Sequence, residues 1–440
     1  MASINPRKES ETLVRCGRTG SPQYLTGPDM AAGLVSVPLF YVYPQGVDTR
    51  RMTDSLATTL RQYPVLAGRI RKDEQGYSWI DPNDAGVTFR EFVVDAPLPP
   101  YGPDHPMQPD VKKYFRKVYP WHLYKPETAL LVVNVFRFSD GGVVLSLIPV
   151  HAVVDASSMW GFLTQWSKVA CEGGEADPVV DRDWLLDYSR QQLDVPYTRG
   201  AMRSLPLMTR LGLYGRLLMN AMSNRLAIHR LEPAFLQGLQ DRYREEFPDG
   251  PAVSDADLLT ALALKVIAEE RGFRNDLCIG AVMDLRFKKS LGIPRNLFGV
   301  ALAQQGFHFS RDLLRSGSVA KLALSLREQG RSWTTDDWQG ALGFLEQHRA
   351  ARSTLSLLPE SVIESLNGGF MQNNYCAMPV YGLDFGTGPA DWYTPEAVPF
   401  RMVKVVPGPK GDGVLDLHLM LNRRELKRFA RVLGQDAGEA

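Results

Sequence analysis

A histidine at the end of an apolar run is the first candidate for chemistry in this sequence. The run over 143–150 has the length and composition of a buried strand, and it leads directly into His151, with Asp155 four residues later. An imidazole at the end of a buried strand has a fixed position and little water around it, which suits a general base. The same residues also fit a purely structural interpretation, in which His151 is a satisfied core histidine and Asp155 is the N-cap of a helix over 156–170.

The His-x-x-x-Asp spacing alone is weak evidence, because the chain repeats it at His308 and Asp312. The surroundings of the two histidines differ. His308 lies between two phenylalanines in the alternating pattern of a half-buried strand, and Ser310 or Asp312 fits the cap of the helix that follows. We therefore take His151 as the candidate base, while the structural interpretation stays open on this stretch alone.

The overall composition is that of an ordinary globular protein with more than one domain. At 440 residues the chain exceeds one ordinary core, and two domains of about 200 residues each are expected. The 50 basic and 49 acidic residues give a net charge of +1, which argues against a nucleic-acid-binding protein. This balance still leaves room for a local basic patch that binds an anionic cofactor.

The cysteines and the hydropathy pattern exclude several other classes. Four cysteines are scattered along the chain, without a CxxC pair or the spacing of a zinc site: Cys16, Cys171, Cys278 and Cys376. We therefore expect neither a disulfide framework nor a metal site. The first ten residues lack the apolar core of a signal peptide, and no run approaches the roughly 18 apolar residues of a membrane span. The sequence predicts a cytoplasmic protein without a membrane segment.

We expect two similar halves joined by a long connection. The first half covers 1–190, the connection 191–225, and the second half 226–440. Both halves show a rough order of strand, helix, helix and strand, although no sequence repeat is detectable. Strands and helices mix without strict alternation, which favours an α+β fold of sandwich-like layers over a doubly wound sheet.

Two local expectations concern the first half. Residues 1–30 contain turn signals and little apolar pattern, so they are predicted to form an irregular entry. The segment 34–43 has the composition of a strand. Pro38 within it lacks the N–H of a ladder hydrogen bond, which restricts this strand to a sheet edge or a bulge.

Four separate motifs, in the expected order, match one enzyme family. They are Leu66-Ala-Gly-Arg69, His151-Ala-Val-Val-Asp155, Asp284-Leu-Arg286 with the later Phe298-Gly299, and Asp384-Phe-Gly-Thr-Gly388. The sequence resembles the BAHD-type acyltransferases, and within them the fungal branch that includes trichothecene acetyltransferases. The resemblance implies two similar chloramphenicol-acetyltransferase-like α/β sandwich domains joined by a long crossover segment. Two residues depart from the family pattern, since Ala156 replaces a glycine and Thr387 replaces a tryptophan.

The resemblance implies direct acyl transfer from acyl-CoA, with acetyl-CoA as the expected donor, to a hydroxyl of a small molecule. His151 would take the proton of the acceptor, so that no acyl-enzyme forms and no nucleophilic cysteine is needed. Cys376, close to the last motif, is a minor alternative as a nucleophile. Asp155 would turn away from the substrate and pair with Arg286, with Asp284 in support.

Further site residues follow from the same resemblance. Asn373 and Tyr375 occupy positions expected to stabilise the oxyanion, although a polar loop leading into a strand fits them equally well. Asp384, Gly386 and Gly388 are implied to form a structural turn away from the chemistry.

The resemblance also suggests substrates and partners. Lys288 and Lys289 are candidates for binding the phosphates of CoA, with a solvated charge run as the other interpretation. Acyl-CoA would act as a co-substrate rather than a permanently bound cofactor. The acceptor would be a hydroxylated terpenoid, alkaloid or polyketide, and the enzyme would act as a monomer.

Two other functions stay open at this point. Peptide-synthetase condensation domains share the histidine motif and take acyl groups from carrier proteins. They usually carry a second histidine at the position of Val150, and no carrier domain is apparent in this sequence. A fold repurposed for another reaction or for binding alone is the other possibility, because Ala156 and Thr387 depart from the family pattern.

Overall fold

The computed structural model describes residues 6–105, 120–395 and 400–434. Within these ranges the strands are β1 (Arg7–Val14), β2 (Gln23–Tyr24), β3 (Leu39–Tyr43), β4 (Arg69–Lys72), β5 (Ser78–Asp81), β6 (Val87–Val94), β7 (Leu131–Phe138), β8 (Val143–Pro149), β9 (Met202–Ser204), β10 (Asn224–Leu231), β11 (Leu277–Asp284), β12 (Leu302–Phe309), β13 (Leu357–Pro359), β14 (Phe370–Asn374), β15 (Trp392–Pro395), β16 (Met402–Pro407) and β17 (Leu415–Asn422). The helices are α1 (Gly27–Ala32), α2 (Thr49–Thr59), α3 (Ala156–Glu172), α4 (Asp183–Arg190), α5 (Leu207–Ser223), α6 (Pro233–Glu246), α7 (Asp255–Glu270), α8 (Arg311–Ser316), α9 (Val319–Arg331), α10 (Thr335–Ala350), α11 (Glu360–Glu364) and α12 (Arg423–Val432).

The first sheet carries the strand that leads to the candidate base. Its order is β1-β6-β7-β8-β3-β15, with β6 and β7 parallel and the other neighbours antiparallel. Every residue of β8 is buried. One face of the sheet packs against α2 and α3, and the other face carries a second apolar layer that includes Phe92 and Phe136. A strand covered on both faces reads as a continuous apolar run, which explains the pattern over 143–150.

The second sheet has the same number of strands and the same mixed character. Its order is β10-β17-β16-β14-β11-β12, and β14 pairs in parallel with both β11 and β16. One face packs against α6, α7, α9 and α12 in a core that includes Leu259, Phe309 and Phe429. Two six-stranded mixed sheets, each covered by helices, confirm the predicted α+β fold with two similar halves.

The last strand of the first sheet comes from the second half of the chain. Strand β15 pairs antiparallel with β3. The segment before β15 places Val380, Leu383 and Phe385 in the same core as α2 and α3. The first sheet therefore depends on residues far along the chain, and the boundaries near residues 190 and 225 stay a prediction.

Two expectations for the first half are wrong. The described part of 1–30 contains β1, which pairs along β6 although most of its side chains are exposed; residues 1–5 lie outside the described residues. Backbone pairing at a sheet edge needs no apolar pattern, so β1 leaves no periodic signal. The strand after Pro38 is interior, because β3 pairs with both β8 and β15. It begins one residue beyond the proline, where every residue can again donate to the ladder.

The connection between the halves contains its own secondary structure. Strand β9 pairs with β13, and α5 follows it. Leu213 and Leu217 of α5 pack with Met402 and Met420 of the second sheet. The described part of the chain holds no helix with the length and apolar composition to cross a bilayer.

Candidate active site

His151 stands beyond β8 with one ring nitrogen available for proton transfer. Its backbone N–H donates to the Val35 carbonyl at 2.7 Å. Its Nδ1 lies 3.1 Å from the Val154 carbonyl oxygen. Because a carbonyl can only accept, Nδ1 carries the hydrogen and Nε2 keeps its lone pair. The half-buried imidazole is therefore held in the tautomer that a general base requires at Nε2.

The loop after His151 is held by Arg182, a residue that the sequence did not identify. Arg182 is completely buried, and it donates to the carbonyls of Ala152 at 3.4 Å and Val153 at 3.1 Å. The same guanidinium pairs with the buried Asp29 at 3.0 Å. Asp29 also accepts the backbone N–H of Val300 at 2.9 Å. Arg182 lies in a polar stretch before α4, where no local pattern indicates burial.

Asp155 fills two structural roles at once. Its Oδ1 accepts the backbone N–H of Ser158 at 2.9 Å, which makes it the N-cap of α3. Its Oδ2 accepts from Arg286 at 2.8 Å and from the backbone N–H of Ala301 at 3.0 Å. The His151 ring does not donate to Asp155. Asp155 therefore positions the backbone around His151 and does not orient the imidazole directly.

Arg286 connects the second half of the chain to the start of α3. It donates to Asp155, to Asp284, to the Ser158 hydroxyl, and to the carbonyls of Leu297 and Gly299. Burial alone would lower the pKa of Arg286, but the two carboxylates raise it above its ordinary value. Burial raises the pKa of Asp284, and Arg286 offsets part of that shift. The contact between Asp155 and Arg286 that the resemblance implied is present as a buried ion pair.

The start of α3 is the meeting point of the two halves. Ser157 donates to the Asp284 carboxylate from one side, and its hydroxyl lies 3.9 Å from the Met378 sulfur on the other. These contacts bring the segments after β11 and after β14 close to the histidine loop. A pocket for two substrates at this junction would be lined by residues of both halves.

Asn373 lies near the end of β14, and Tyr375 follows this strand and packs against α3. Asn373 Nδ2 is 3.4 Å from the Tyr375 hydroxyl, and Asn373 Oδ1 is buried without a partner among the described residues. The Tyr375 ring packs edge-on against Trp160, with ring centroids 4.8 Å apart. Burial raises the pKa of Tyr375 to about 12, so its hydroxyl remains a hydrogen-bond donor at neutral pH. Their role toward an oxyanion stays a prediction.

Lys288 and Lys289 do not share one environment. Lys288 is half-buried, with Nζ 4.5 Å from the centre of the Trp338 ring, and burial lowers the pKa of Lys288. Lys289 is exposed. The contact of both lysines with CoA phosphates stays a prediction, and Lys289 is the more accessible of the two.

The turn at Asp384 supports the far end of α3. Asp384 Oδ1 accepts the backbone N–H groups of Gly386 at 2.7 Å and Gly388 at 3.0 Å, and both glycines have positive φ. Ser167 of α3 bonds the backbone N–H and the carbonyl of Asp384, each at 2.9 Å. Ser167 lies about 18 Å along the helix axis from the N-cap of α3. The turn is therefore remote from the histidine.

Three possible metal ligands meet outside this site. Cys278, His308 and Glu360 place their ligand atoms within 4.8 Å of one another. Glu360 is already paired with Arg203, and burial raises the pKa of Cys278 to about 12, which keeps the thiol protonated. Both features disfavour metal binding. His308, the histidine of the second His-x-x-x-Asp pattern, therefore lies beside Glu360. Ser310 is the N-cap of α8, which is one of the two caps predicted from the sequence.

Replacing Arg286 by Met should lower the free energy of unfolding by about 3–5 kcal/mol, because Asp155 is left as a buried carboxylate without its cation. The double variant Asp155→Asn, Arg286→Met should recover part of that loss, since the amide carries no charge and can still cap α3. Chemical denaturation measures each free energy. Arg311→Met, at an exposed arginine, is the control and should stay within about 0.5 kcal/mol of wild type. A loss for Arg286→Met no larger than the control's would contradict the buried pair.

Removing the Asp384 carboxylate should destabilise the late turn. Asp384→Ala leaves the N–H groups of Gly386 and Gly388 without their acceptor, for an expected loss of about 1–3 kcal/mol in unfolding free energy. Asp384→Asn keeps an oxygen at the acceptor position and should lose less than half as much. Thermal and chemical denaturation test the order of the two variants, and equal losses would show that the turn depends on charge rather than on these bonds.

Comparisons with known proteins agree with this architecture. The model of the Transferase family matches residues 32–433. Tryptamine hydroxycinnamoyltransferase 2 from Oryza sativa subsp. japonica is 24% identical, over 97% of this chain and 96% of its own length. The crystal structure of vinorine synthase has a TM-score of 0.68 at 18% identity and covers 96% of both chains. The crystal structure of F. graminearum TRI101 complexed with ethyl coenzyme A has a TM-score of 0.65 at 15% identity, covering 93% of this chain and 97% of that one.

These matches extend over nearly the whole chain, beyond any single motif. The solved structures share the fold of this chain over nearly its whole length. The residues matched by the family model include all four motifs found in the sequence. The relative from Oryza sativa is a plant protein, so the fungal branch stays a prediction. The chain belongs to the Transferase family, the BAHD acyltransferases.

Proposed function

We propose that this acyltransferase moves an acyl group directly from acyl-CoA to a hydroxyl of a small molecule, with His151 as general base. The observation that carries the proposal is the bond from His151 Nδ1 to the Val154 carbonyl. This bond sets the tautomer in which Nε2 is basic. A base in this position can deprotonate the acceptor itself, so the reaction needs no acyl-enzyme.

The proposed reaction begins when the acceptor hydroxyl gives its proton to Nε2 and its oxygen attacks the thioester carbonyl carbon. The electron pair of the carbonyl moves to oxygen and forms a tetrahedral oxyanion. The Tyr375 hydroxyl and Asn373 Nδ2 are the proposed donors to this oxyanion. The carbonyl then re-forms, the carbon–sulfur bond breaks, and the CoA thiolate takes the proton from the imidazolium. The ester and free CoA leave, and the histidine is neutral again.

Asp155 and Arg286 are positioning residues in this proposal. Their ion pair holds the start of α3 and the segment that contains Gly299 and Ala301 in one arrangement. Arg182 fixes the intervening loop from the other side. The imidazole is thereby held at a constant position relative to both halves, which direct transfer between two bound substrates requires.

We further propose acetyl as the acyl group and a hydroxylated terpenoid, alkaloid or polyketide as the acceptor. The similarity to TRI101, crystallised with ethyl coenzyme A, supports a CoA thioester as donor. A relative named for hydroxycinnamoyl transfer to tryptamine favours a second candidate, an aromatic acyl group passed to an amine. Turnover of acetyl-CoA against 4-coumaroyl-CoA, each with alcohol and amine acceptors, separates the two candidates.

The proposal also includes the remaining expectations from the sequence. Lys288 and Lys289 would contribute to binding the CoA phosphates, and the enzyme would act as a cytoplasmic monomer. A carrier-protein thioester is the alternative donor within the same fold. Val150, at the position where condensation domains usually carry a second histidine, supports free CoA instead.

Substituting His151 tests the base directly. His151→Ala should lower kcat by about 10²–10⁴-fold while CoA binding, measured by isothermal titration, persists. His308→Ala removes the histidine of the second His-x-x-x-Asp pattern and is the matched control, which should keep wild-type turnover. If His151→Ala turned over like the control, the base would lie elsewhere. If the wild type bound no CoA species, the donor assignment would fail.

Substituting Cys376 tests the alternative of a covalent intermediate. Desolvation, together with the nearby Asp255, raises the pKa of the Cys376 thiol to about 11, so the thiol is protonated and a poor nucleophile at neutral pH. Cys376→Ala should therefore keep most of the wild-type kcat/KM. Loss of turnover in this variant, or an acylated Cys376 detected by mass spectrometry after mixing with acyl-CoA, would contradict direct transfer.

A further inference from the structure

The second sheet carries three polar side chains in one row across neighbouring strands. Lys404 of β16 pairs in register with Asn373 of β14 on one side and with His418 of β17 on the other. Side chains of paired residues in neighbouring strands point to the same face of a sheet. The three residues therefore form one continuous polar row, which we call the Lys404 row.

This row points away from α6, α7, α9 and α12, and it shares its sheet face with Met402 and Met420, on which α5 packs. The residues next to it along the strands fill the core beneath α7: Val403, Val405, Leu417 and Leu419. Side chains alternate along a strand, so the Lys404 row lies on the opposite face. That face reaches the candidate site, because Lys404 Nζ lies 5.9 Å from the centre of the Tyr375 ring, which packs against Trp160 of α3.

Lys404 and His418 are buried as residues, and polar atoms of all three residues lack partners among the described residues. Lys404 is only 7% exposed and His418 only 2%. Among the described residues the Lys404 side chain has no ion pair or hydrogen bond, and its Nζ lies over the Tyr375 ring. Both ring nitrogens of His418 and Oδ1 of Asn373 also have no hydrogen-bond partner in this part of the chain.

Burying a lysine and other polar groups without partners costs folding free energy, unless a bound group supplies the missing hydrogen bonds or charge. Buried lysines are rare without a partner, and buried polar atoms almost always have hydrogen bonds. Other buried cations of this chain are paired with carboxylates, as Arg182 is with Asp29 and Arg401 is with Glu425. Among the described residues no carboxylate pairs with Lys404, which leaves room for a ligand in that role.

The charge state of the row fits a small anion. Burial lowers the pKa of Lys404 to about 8, so the amine is still mostly protonated at neutral pH. Burial, with a smaller contribution from Lys404, lowers the pKa of His418 to about 3, so the imidazole is neutral. The row then offers one positive charge and one imidazole N–H, which match the charge and the acceptor oxygens of a single carboxylate.

We propose that Lys404, flanked by Asn373 and His418, binds a carboxylate carried by one of the two substrates. The inference rests on the proposed function, since it assigns the row to the substrate space beside Tyr375. Two sources have this chemistry: an acidic acceptor, such as a hydroxy acid, and a dicarboxylic acyl group on CoA. The enzyme then prefers an acidic substrate over its uncharged analogue.

Isothermal titration of the full-length protein with matched probes tests both sources. The donor arm compares malonyl-CoA with butyryl-CoA, which has a methyl group in place of the carboxylate. The acceptor arm compares 4-hydroxybenzoate, 4-coumarate and quinate, each with its own methyl ester. The wild type should bind the acidic member of at least one pair about tenfold more tightly, as expected for one charge-assisted contact of about 1.4 kcal/mol.

Lys404→Met removes the charge and keeps the apolar stem. The ratio of acid to neutral affinity should fall to about one in this variant, and the melting temperature should rise because an unpaired buried charge is gone. Lys410→Met, at an exposed lysine in the turn after β16, is the matched control and should keep the wild-type ratio. If Lys404→Met does not fold, Lys404→Gln replaces it, since the amide restores a polar group without charge.

The outcomes separate this inference from the proposed function. Equal affinity for acid and ester in every wild-type pair overturns the inference, as does an acid preference that survives in Lys404→Met. An acid preference in the donor arm assigns the carboxylate to the acyl group, and one in the acceptor arm assigns it to the acceptor. Failure of all CoA species to bind overturns the proposed function, while the acceptor arm still decides the role of Lys404.

Discussion

Two buried arginine–carboxylate pairs hold this structure together at the candidate active site. Asp155 pairs with Arg286, and Asp29 pairs with Arg182, all four side chains being almost completely buried. The two carboxylates also accept the adjacent backbone N–H groups of residues 300 and 301, one each. The segment after β11 is thereby fastened to the first half at the point where the histidine loop leaves β8. Because removing one partner of a buried pair leaves an uncompensated charge, the two halves are strongly constrained to one arrangement.

This constraint explains how a histidine on a loop keeps a defined geometry. His151 has only two fixed bonds of its own, from its backbone and from Nδ1. The next residues are held by Arg182, and Asp155, the N-cap of α3, is held by Arg286. The position of the imidazole is therefore set by Arg182 and by the Asp155–Arg286 pair, which hold the neighbouring backbone without bonding the ring. This arrangement leaves Nε2 available for a substrate.

The two sheets have the same number of strands but carry different residues of the candidate site. The first sheet delivers the histidine from a strand that is buried on both faces. The second sheet is covered by α6, α7, α9 and α12 on one face, and on the other face, where α5 packs only against its Met402 end, it carries Asn373, Lys404 and His418. A candidate base from one half and a polar row from the other would suit the proposed transfer between two different substrates. The late turn at Asp384 lies outside this site, where Thr387 donates to the Gly46 carbonyl and so has a structural role of its own.

Sequence patterns were sufficient to predict the elements whose signals are local. The continuous apolar run predicted β8, and the capping pattern at Asp155 predicted the start of α3, since both depend on residues adjacent in the chain. The two interpretations of Asp155, an N-cap and a partner of Arg286, proved to be compatible, because its two oxygens serve different donors. Only the tertiary structure revealed the interior position of β3, the burial of Arg182, and the alignment of Lys404 with His418. Each of these depends on pairing between segments far apart in sequence, where strand register and not residue type decides which side chains meet.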